Sequence, residues 1–360
     1  MLFERINQPP VLGELLAGIV IGPSVLNLVE FSPTIELLGR LGMFFLMFYA
    51  GLQTDLKKLL KMSKLFLGVG IGGTFVPLLL GAGVTLLFGG DINQALLVGI
   101  AISGTALAVK VKILTDLGLL RSRVGYIMMG ASVTDNLLSF IILTAVLKGI
   151  TGKFTPWGVG VSILEVALFF AVVLAIGYLV YPRVGKVMRT EMRVFTLALL
   201  MGFLFAVLAE RIGIHFIIGA YLAGLFVREQ LQEREFRKID LRFETIAYGL
   251  LAPIFIVSLA FHVKLEVFIT EFWFLIGLFL AAVGGKLIGG GGVGYLAGLS
   301  KDEALTVGIG MNARGMVEII LAAVGMEMGI LTEVHLTLMV AVAFLTTLIT
   351  PFWLRYRLVK

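Results

Sequence analysis

Arg123–Lys148 reads RVGYIMMGASVTDNLLSFIILTAVLK, and between its two terminal bases the only charged side chain is Asp135. That aspartate falls near the middle, about 18 Å of helix from Arg123 at 1.5 Å per residue. A run of this length and polarity is long enough to cross a bilayer. A carboxylate at that depth costs about 2.5–3.5 kcal/mol on insertion scales, and a chain that keeps one uses it to bind a cation or carry a proton. Lys286 is placed alike, about midway between Glu271 and Lys301. One acid and one base at bilayer depth point to an ion-coupled transporter.

The rest of the chain agrees with a polytopic membrane protein. It is 59% hydrophobic and 14% charged, against about 45–50% and 25% in soluble domains. It has no cysteine, which excludes a disulfide framework, a thiolate metal site and a cysteine nucleophile. The net charge of +6 does not suggest nucleic acid, because the bases sit in short loops. Stretches 11–28, 36–53, 64–88, 93–115, 124–148, 156–182, 192–211, 213–227, 241–263, 267–298, 303–328 and 332–354 are each long enough to cross, or nearly cross, about 30 Å of hydrocarbon. Lysine and arginine crowd alternate loops: Lys57–Lys64, Arg121 with Arg123, Arg183–Arg193, Arg228–Arg242, Lys301 and Arg355–Lys360. The positive-inside rule makes that set cytoplasmic, with both termini on the same side. The expected location is a plasma or inner membrane.

A weak internal repeat appears. VLGELLAGIVI at 11–21 resembles IIGAYLAGLFV at 217–227, and FLMFYA at 45–50 resembles FIVSLA at 255–260. These pairs lie seven spans apart, an odd separation, so the copies face opposite ways. Inverted repeats are a common plan in secondary transporters. The same pairing sets the fourth span beside the eleventh. One carries Ser103-Gly104-Thr105 at mid-depth, and the other Gly310, Asn312, Arg314 and Gly315. Unwound backbone in a membrane is tolerated only where protein or a water cavity satisfies it. Two facing breaks would offer carbonyls and the Thr105 hydroxyl to a small hard cation beside Asp135. Close packing through Gly and Ser explains Ser103 and Thr105 equally well. Arg314 needs a partner at that depth, and Glu318 one turn on is a candidate; Glu165, midway in the sixth span, is another. Lys110 and Lys112 lie near a helix end and are expected to snorkel to the interface. The glycine run Gly284–Gly294 lacks the Ser/Thr of a phosphate loop and reads as close helix crossing.

Several of these stretches together resemble a known family. GELLAGIVIGPSVL (13–26), FLMFYAGLQTDL (45–56), VKILTDLGLLRSRVGYIMMGASVTDN (111–136), GAYLAGLFV (219–227), LAPIFIVSLAFHV (251–263), GGKLIGG (284–290) and GMNARGMVEIIL (310–321) are similar to the second family of monovalent cation:proton antiporters, the Kef-type and plant cation/proton exchangers. The resemblance implies an all-α, sodium/proton antiporter-like fold of about 12 helices, with inverted repeats and two crossing broken helices. It implies a dimerisation or scaffold part (11–53 and 192–263), an ion-transporting core (64–148 and 267–354), a linking helix (156–182) and no soluble domain. It also implies exchange of Na+ or K+ for protons by alternating access, proton and cation competing at Asp135. The family's unwound segment falls on Ser103–Thr105, and its crossing partner on Asn312–Gly315. Lys286 is then a second proton site or a fixed charge stabilising the empty core.

There are departures from the pattern. Electrogenic members often carry two adjacent acids, whereas here Thr134 precedes Asp135, which points to electroneutral exchange. Similar proteins often begin with one more helix, which helps to form the dimer, and this chain starts at its tail end, Phe3–Pro9. The expected ligands are Asp135 and Thr105 for the alkali cation, with Thr134 and Ser103 beside them. Lys286, Asn312, Arg314 and Glu318 supply the charge compensation and the crossing. No enzymatic activity and no resident cofactor are expected. The expected partners are lipid and a second copy of the chain, with room for a separate cytoplasmic regulatory subunit. Two rival readings remain open at this point. A sodium-coupled symporter of an organic anion would want a wider polar and aromatic cavity, and a cation channel would show far higher rates.

Overall fold

A computed structural model of the chain describes residues 10–30, 32–54, 64–106, 110, 113–114, 117, 119, 122–151, 191–211, 214–231 and 233–358. The elements are α1 (Pro10–Ile21), α2 (Pro33–Leu52), α3 (Lys64–Leu87), α4 (Ile92–Ser103), α5 (Arg123–Thr151), α6 (Glu191–Arg211), α7 (Phe216–Gln230), α8 (Glu233–Ile246) and α9 (Ala252–Ala260). They continue with α10 (Val267–Thr270), α11 (Phe272–Lys286), α12 (Val293–Leu296), α13 (Lys301–Gly310), α14 (Met316–Glu327) and α15 (Glu333–Leu358). Wider π-helical turns at Ala247–Leu251 and Leu287–Gly292 join α8 to α9 and α11 to α12. Among the described residues seven helices are long and apolar enough to cross a membrane, and every expected span outside 156–182 carries helix. The linking helix expected at 156–182, with Glu165, lies outside the described residues.

Local chemistry sets the element ends. Ser32 caps α2, with Pro33 in its first turn, where the missing N–H costs nothing. Asp91 with Gln94 opens α4, and Ser300 with Glu303 opens α13, each as a reciprocal capping box. Gly298 and Gly329 follow α12 and α14 at positive φ, a conformation that only glycine adopts cheaply.

The chain falls into two compact units, one of 1–30, 61–143 and 259–360, the other of 31–60 and 144–258. The expected scaffold grouping of 11–53 with 192–263 differs from these units at 11–30 and 259–263, which cluster with the first, and the expected core 64–148 differs at 144–148, which cluster with the second. In the second unit α2 lies against α7 backbone to backbone: Gly51 faces the carbonyl of Tyr221, and Gly224 that of Phe48. Rings close the remaining space, as where Phe44 stacks on Phe203 at 4.4 Å.

In the first unit α3 is the hub. Gly81 of α3 and Gly99 of α4 meet, and the carbonyls of Gly72 and Gly289 each stand where the other's Cβ would go. The glycine run after Lys286 therefore serves close crossing, and it includes the π-helical turn. α4 ends at Ser103, α13 ends at Gly310, and the links after them meet, Ala106 N–H donating to Ala313 C=O at 3.1 Å. These are the two interrupted helices that the sequence predicts. At one end of this unit the starts of α5 and α13 and the end of α15 are tied together, by Arg123–Glu303 at 3.2 Å and Arg357–Asp302 at 2.5 Å.

Candidate functional site at the crossing of two broken helices

The site is built from backbone that ordinary helix geometry leaves unpaired. Pro77 in α3 has no N–H, so the carbonyl of Gly73, four residues back, lacks its helical donor. The last carbonyls of α4 lack donors because the helix stops. Lys286, the last residue of α11, supplies what is missing. Its ammonium donates to Gly73 C=O at 2.7 Å, to Ser103 C=O at 2.5 Å and to Asp135 Oδ2 at 2.7 Å. An ammonium has three protons, so all of them are used. The other carboxylate oxygen, Oδ1, accepts from the Thr74 hydroxyl at 2.6 Å. Asp135 and Lys286 are wholly enclosed, with no solvent exposure on either side chain.

Arg314, in the second break, braces the first. Its Nη1 donates to Ile102 C=O and, at 3.4 Å, to Gly104 C=O; its Nη2 donates to Ala282 C=O at 3.1 Å. Its own backbone is fastened to α15: the Thr347 hydroxyl donates to Arg314 C=O at 2.8 Å and accepts from Arg314 N–H at 3.2 Å. Glu318, one turn on, stands 3.6 Å from Nη1 as an ion pair, but neither of its oxygens has a hydrogen-bond donor. Nη1 and Nη2 go to carbonyls and Nε has no partner, so the pair with Glu318 is electrostatic rather than hydrogen-bonded. Removing one partner of a buried pair leaves an uncompensated charge, at about 3–5 kcal/mol.

The candidate residues divide on inspection. Asp135, Lys286, Arg314 and Glu318 sit together at the crossing. Ser103 contributes its carbonyl rather than its hydroxyl, which bonds Ile100 C=O at 2.7 Å and lies 3.2 Å from the Ser139 hydroxyl. Thr134 turns its hydroxyl back to Gly130 C=O at 3.2 Å and packs on Gly70, one turn of α3 before Thr74, so its oxygen is engaged with its own helix. Thr105 is buried in the break, its hydroxyl without a partner, and Asn312 binds Gly308 C=O through Nδ2, leaving Oδ1 unpaired. Lys110 does not snorkel: it is wholly buried, its ammonium 2.6 Å from Ser132 Oγ and 3.2 Å from Met311 Sδ. It follows the break rather than a membrane-surface helix end; Lys112 lies outside the described residues. Thr74 and Gly73 belong to the site and were not foreseen. A signal existed: Thr74 is the single hydroxyl in 65–84, three residues before the one proline there.

Comparison with known proteins bears on this geometry. The family described as "Sodium/hydrogen exchanger, transmembrane" matches residues 1–360. The Na(+)/H(+)-K(+) antiporter GerN of Bacillus cereus is 34% identical over 358 residues, 99% of this chain and 91% of that protein. The Na(+)/H(+) antiporter of Enterococcus hirae is 28% identical, over 98% and 92% of the two chains. The solved structure of the sodium proton antiporter MjNhaP1 from Methanocaldococcus jannaschii shares the fold, with a TM-score of 0.77 over 100% of this chain and 94% of that one, at 18% identity.

Proposed function

The chain belongs to the sodium/hydrogen exchanger family, and from that membership we propose that it exchanges a monovalent cation, Na+ or K+, for protons by alternating access, with cation and proton taking turns on Asp135. It is a multi-pass membrane protein. Within the family, the motifs quoted above favour the Kef-type branch. The GerN protein's printed name pairs Na+ and K+ with protons, which supports an alkali cation as the cargo here.

One observation carries the reading. Lys286 holds three oxygens at once: a carboxylate oxygen and the carbonyls of Gly73 and Ser103. Hard alkali cations take such oxygens, and an ammonium bound to them occupies the place a bare ion would fill. When Lys286 withdraws, the same oxygens and the Thr74 hydroxyl become available to Na+ or K+, and the carboxylate is neutralised in turn by lysine, metal ion or proton. Each exchange of one cation for one proton leaves the site's net charge unchanged, which agrees with an electroneutral cycle and with Thr134 in place of a second acid. The buried, unpaired Thr105 hydroxyl is a further oxygen at the break. A symporter of organic anions fits less well, because the crossing is filled by its own ion pairs.

In this reading the protein performs no bond chemistry and holds no resident cofactor. Lipid and a second copy of the chain are its partners, and the 64–148 and 267–354 segments move as the transporting part against 192–263. Both termini face the cytoplasm of the cell that carries it in its plasma or inner membrane. The test is reconstitution into liposomes loaded with a pH-sensitive dye. Asp135→Asn lowers cation-driven proton flux to the level of empty liposomes, and clamping the membrane potential leaves the wild-type rate unchanged. Exchange that survives Asp135→Asn sinks the proposal.

A further inference from the structure

Of the acids and the lysine and arginine side chains wholly enclosed among the described residues, the acids are Asp135 and Glu318, and the bases are Lys286, Arg314 and Lys110. Lys286 takes Asp135, and Arg314 takes Glu318. Lys110 is the base left without an acid. We propose that Lys110 is a second proton-binding site of the core, separate from the Asp135–Lys286 pair, and that the charge it carries controls opening of the apolar plug beside it.

The surroundings of Lys110 support both halves. Its backbone N–H bonds Ala106 C=O at 3.2 Å, in the first turn after the break in α4. Its ammonium meets one hydroxyl, Ser132 Oγ, and one thioether, Met311 Sδ. The Ser132 hydroxyl donates its proton to Met128 C=O at 2.6 Å, so towards Lys110 it acts as an acceptor. Ser132 lies three residues before Asp135 on α5, nearly one helical turn, and Met311 begins the break after α13. The charges facing Lys110 are Lys286 from α11, Arg314 from the break before α14, and Asp135 from α5. The two cations repel it, and the carboxylate is already held by Lys286 and Thr74.

Met311, which the ammonium touches, belongs to an enclosed apolar cluster that includes Val69, Leu114, Ile127, Met128 and Val307. Along α5 its members Ile127 and Met128 lie between Arg123 at the helix start and Asp135. An ammonium with so few partners is poorly compensated for lost water. A conformation that opens the plug restores water to it, whereas the closed one does not. Proton binding at Lys110 and opening are therefore linked: charge on Lys110 destabilises the closed arrangement and shifts the population towards the open one. This rests on the exchange reading only for its role in transport; the opening can be measured by itself.

The chain has no cysteine, so a single reporter thiol is unambiguous. Met128→Cys places it in the plug, and Tyr126→Cys, at an exposed position, serves as a reference that cancels the thiol's own titration. In reconstituted protein, labelling of position 128 by a water-soluble maleimide, divided by that of position 126, rises several-fold from about pH 9 to about pH 6. Lys110→Met abolishes the rise, and Lys110→Arg, charged throughout, labels fast at every pH. Should Lys110→Met not fold, Lys110→Gln takes its place in the same measurement. A flat ratio in the protein that keeps Lys110, or an equal rise without it, overturns the proposal. Loss of exchange with the labelling pattern intact counts against the transport reading instead.

Discussion

At the scale of single residues the arrangement turns on which oxygens an ammonium can hold. Lys286 uses three, and the carboxylate it touches has a second, neutral donor in Thr74. A hydrogen bond to a charged group contributes about 1.5–3 kcal/mol. Thr74→Val should therefore raise the cation concentration for half-maximal exchange by about tenfold or more, while Thr74→Ser should stay near wild type. Equal half-saturation in the valine variant would remove Thr74 from the site. Asp135, Lys286, Arg314 and Glu318 were legible in the sequence because a charge far inside an apolar span is costly and has to be paired. Thr74 and Lys110 were not. A threonine in an apolar helix looks like any back-bonded hydroxyl, and a lysine a few residues past a break looks like one near a surface.

At the scale of elements, backbone approach decides where the side chains meet. α3 and the π-helical turn after α11 touch through Gly72 and Gly289, and Lys286 sits at the start of that turn. A methyl on Gly289 runs into a backbone carbonyl, which cannot swing aside as a flexible side chain can. Gly289→Ala should cost about 1–3 kcal/mol, the usual penalty for overpacking, and lower the thermal midpoint in detergent. A midpoint equal to wild type would show that the two helices part easily. The breaks in α4 and α13 were readable as Ser103-Gly104-Thr105 and the Asn312–Gly315 stretch, since polar and glycine residues weaken a helix at mid-depth. What each break does with its carbonyls was not readable, because Arg314 and Lys286 arrive from far along the chain.

At the scale of the whole molecule, a bound cation would tie α3, α4 and α5 together through one set of oxygens, so binding should appear as global stability. A cation at about 100 times its dissociation constant adds about 2.7 kcal/mol to the folded state. Na+ or K+ should raise the thermal midpoint of the wild type, while choline should not, and Asp135→Asn should respond to neither. A rise of the same size in Asp135→Asn would mark a general effect of salt. The sequence by itself determined that the chain crosses a membrane many times, that two spans break, and that one acid and one base lie at depth. Hydropathy, helix-weakening residues and the cost of buried charge are local properties, written wherever the residue stands. Only the tertiary structure decided that Lys286 grips Asp135 with two freed carbonyls, that Thr134 spends its hydroxyl on its own helix, and that Lys110 lies enclosed without an acid. Those outcomes depend on the rotation and close approach of helices distant in the chain, which no local pattern encodes.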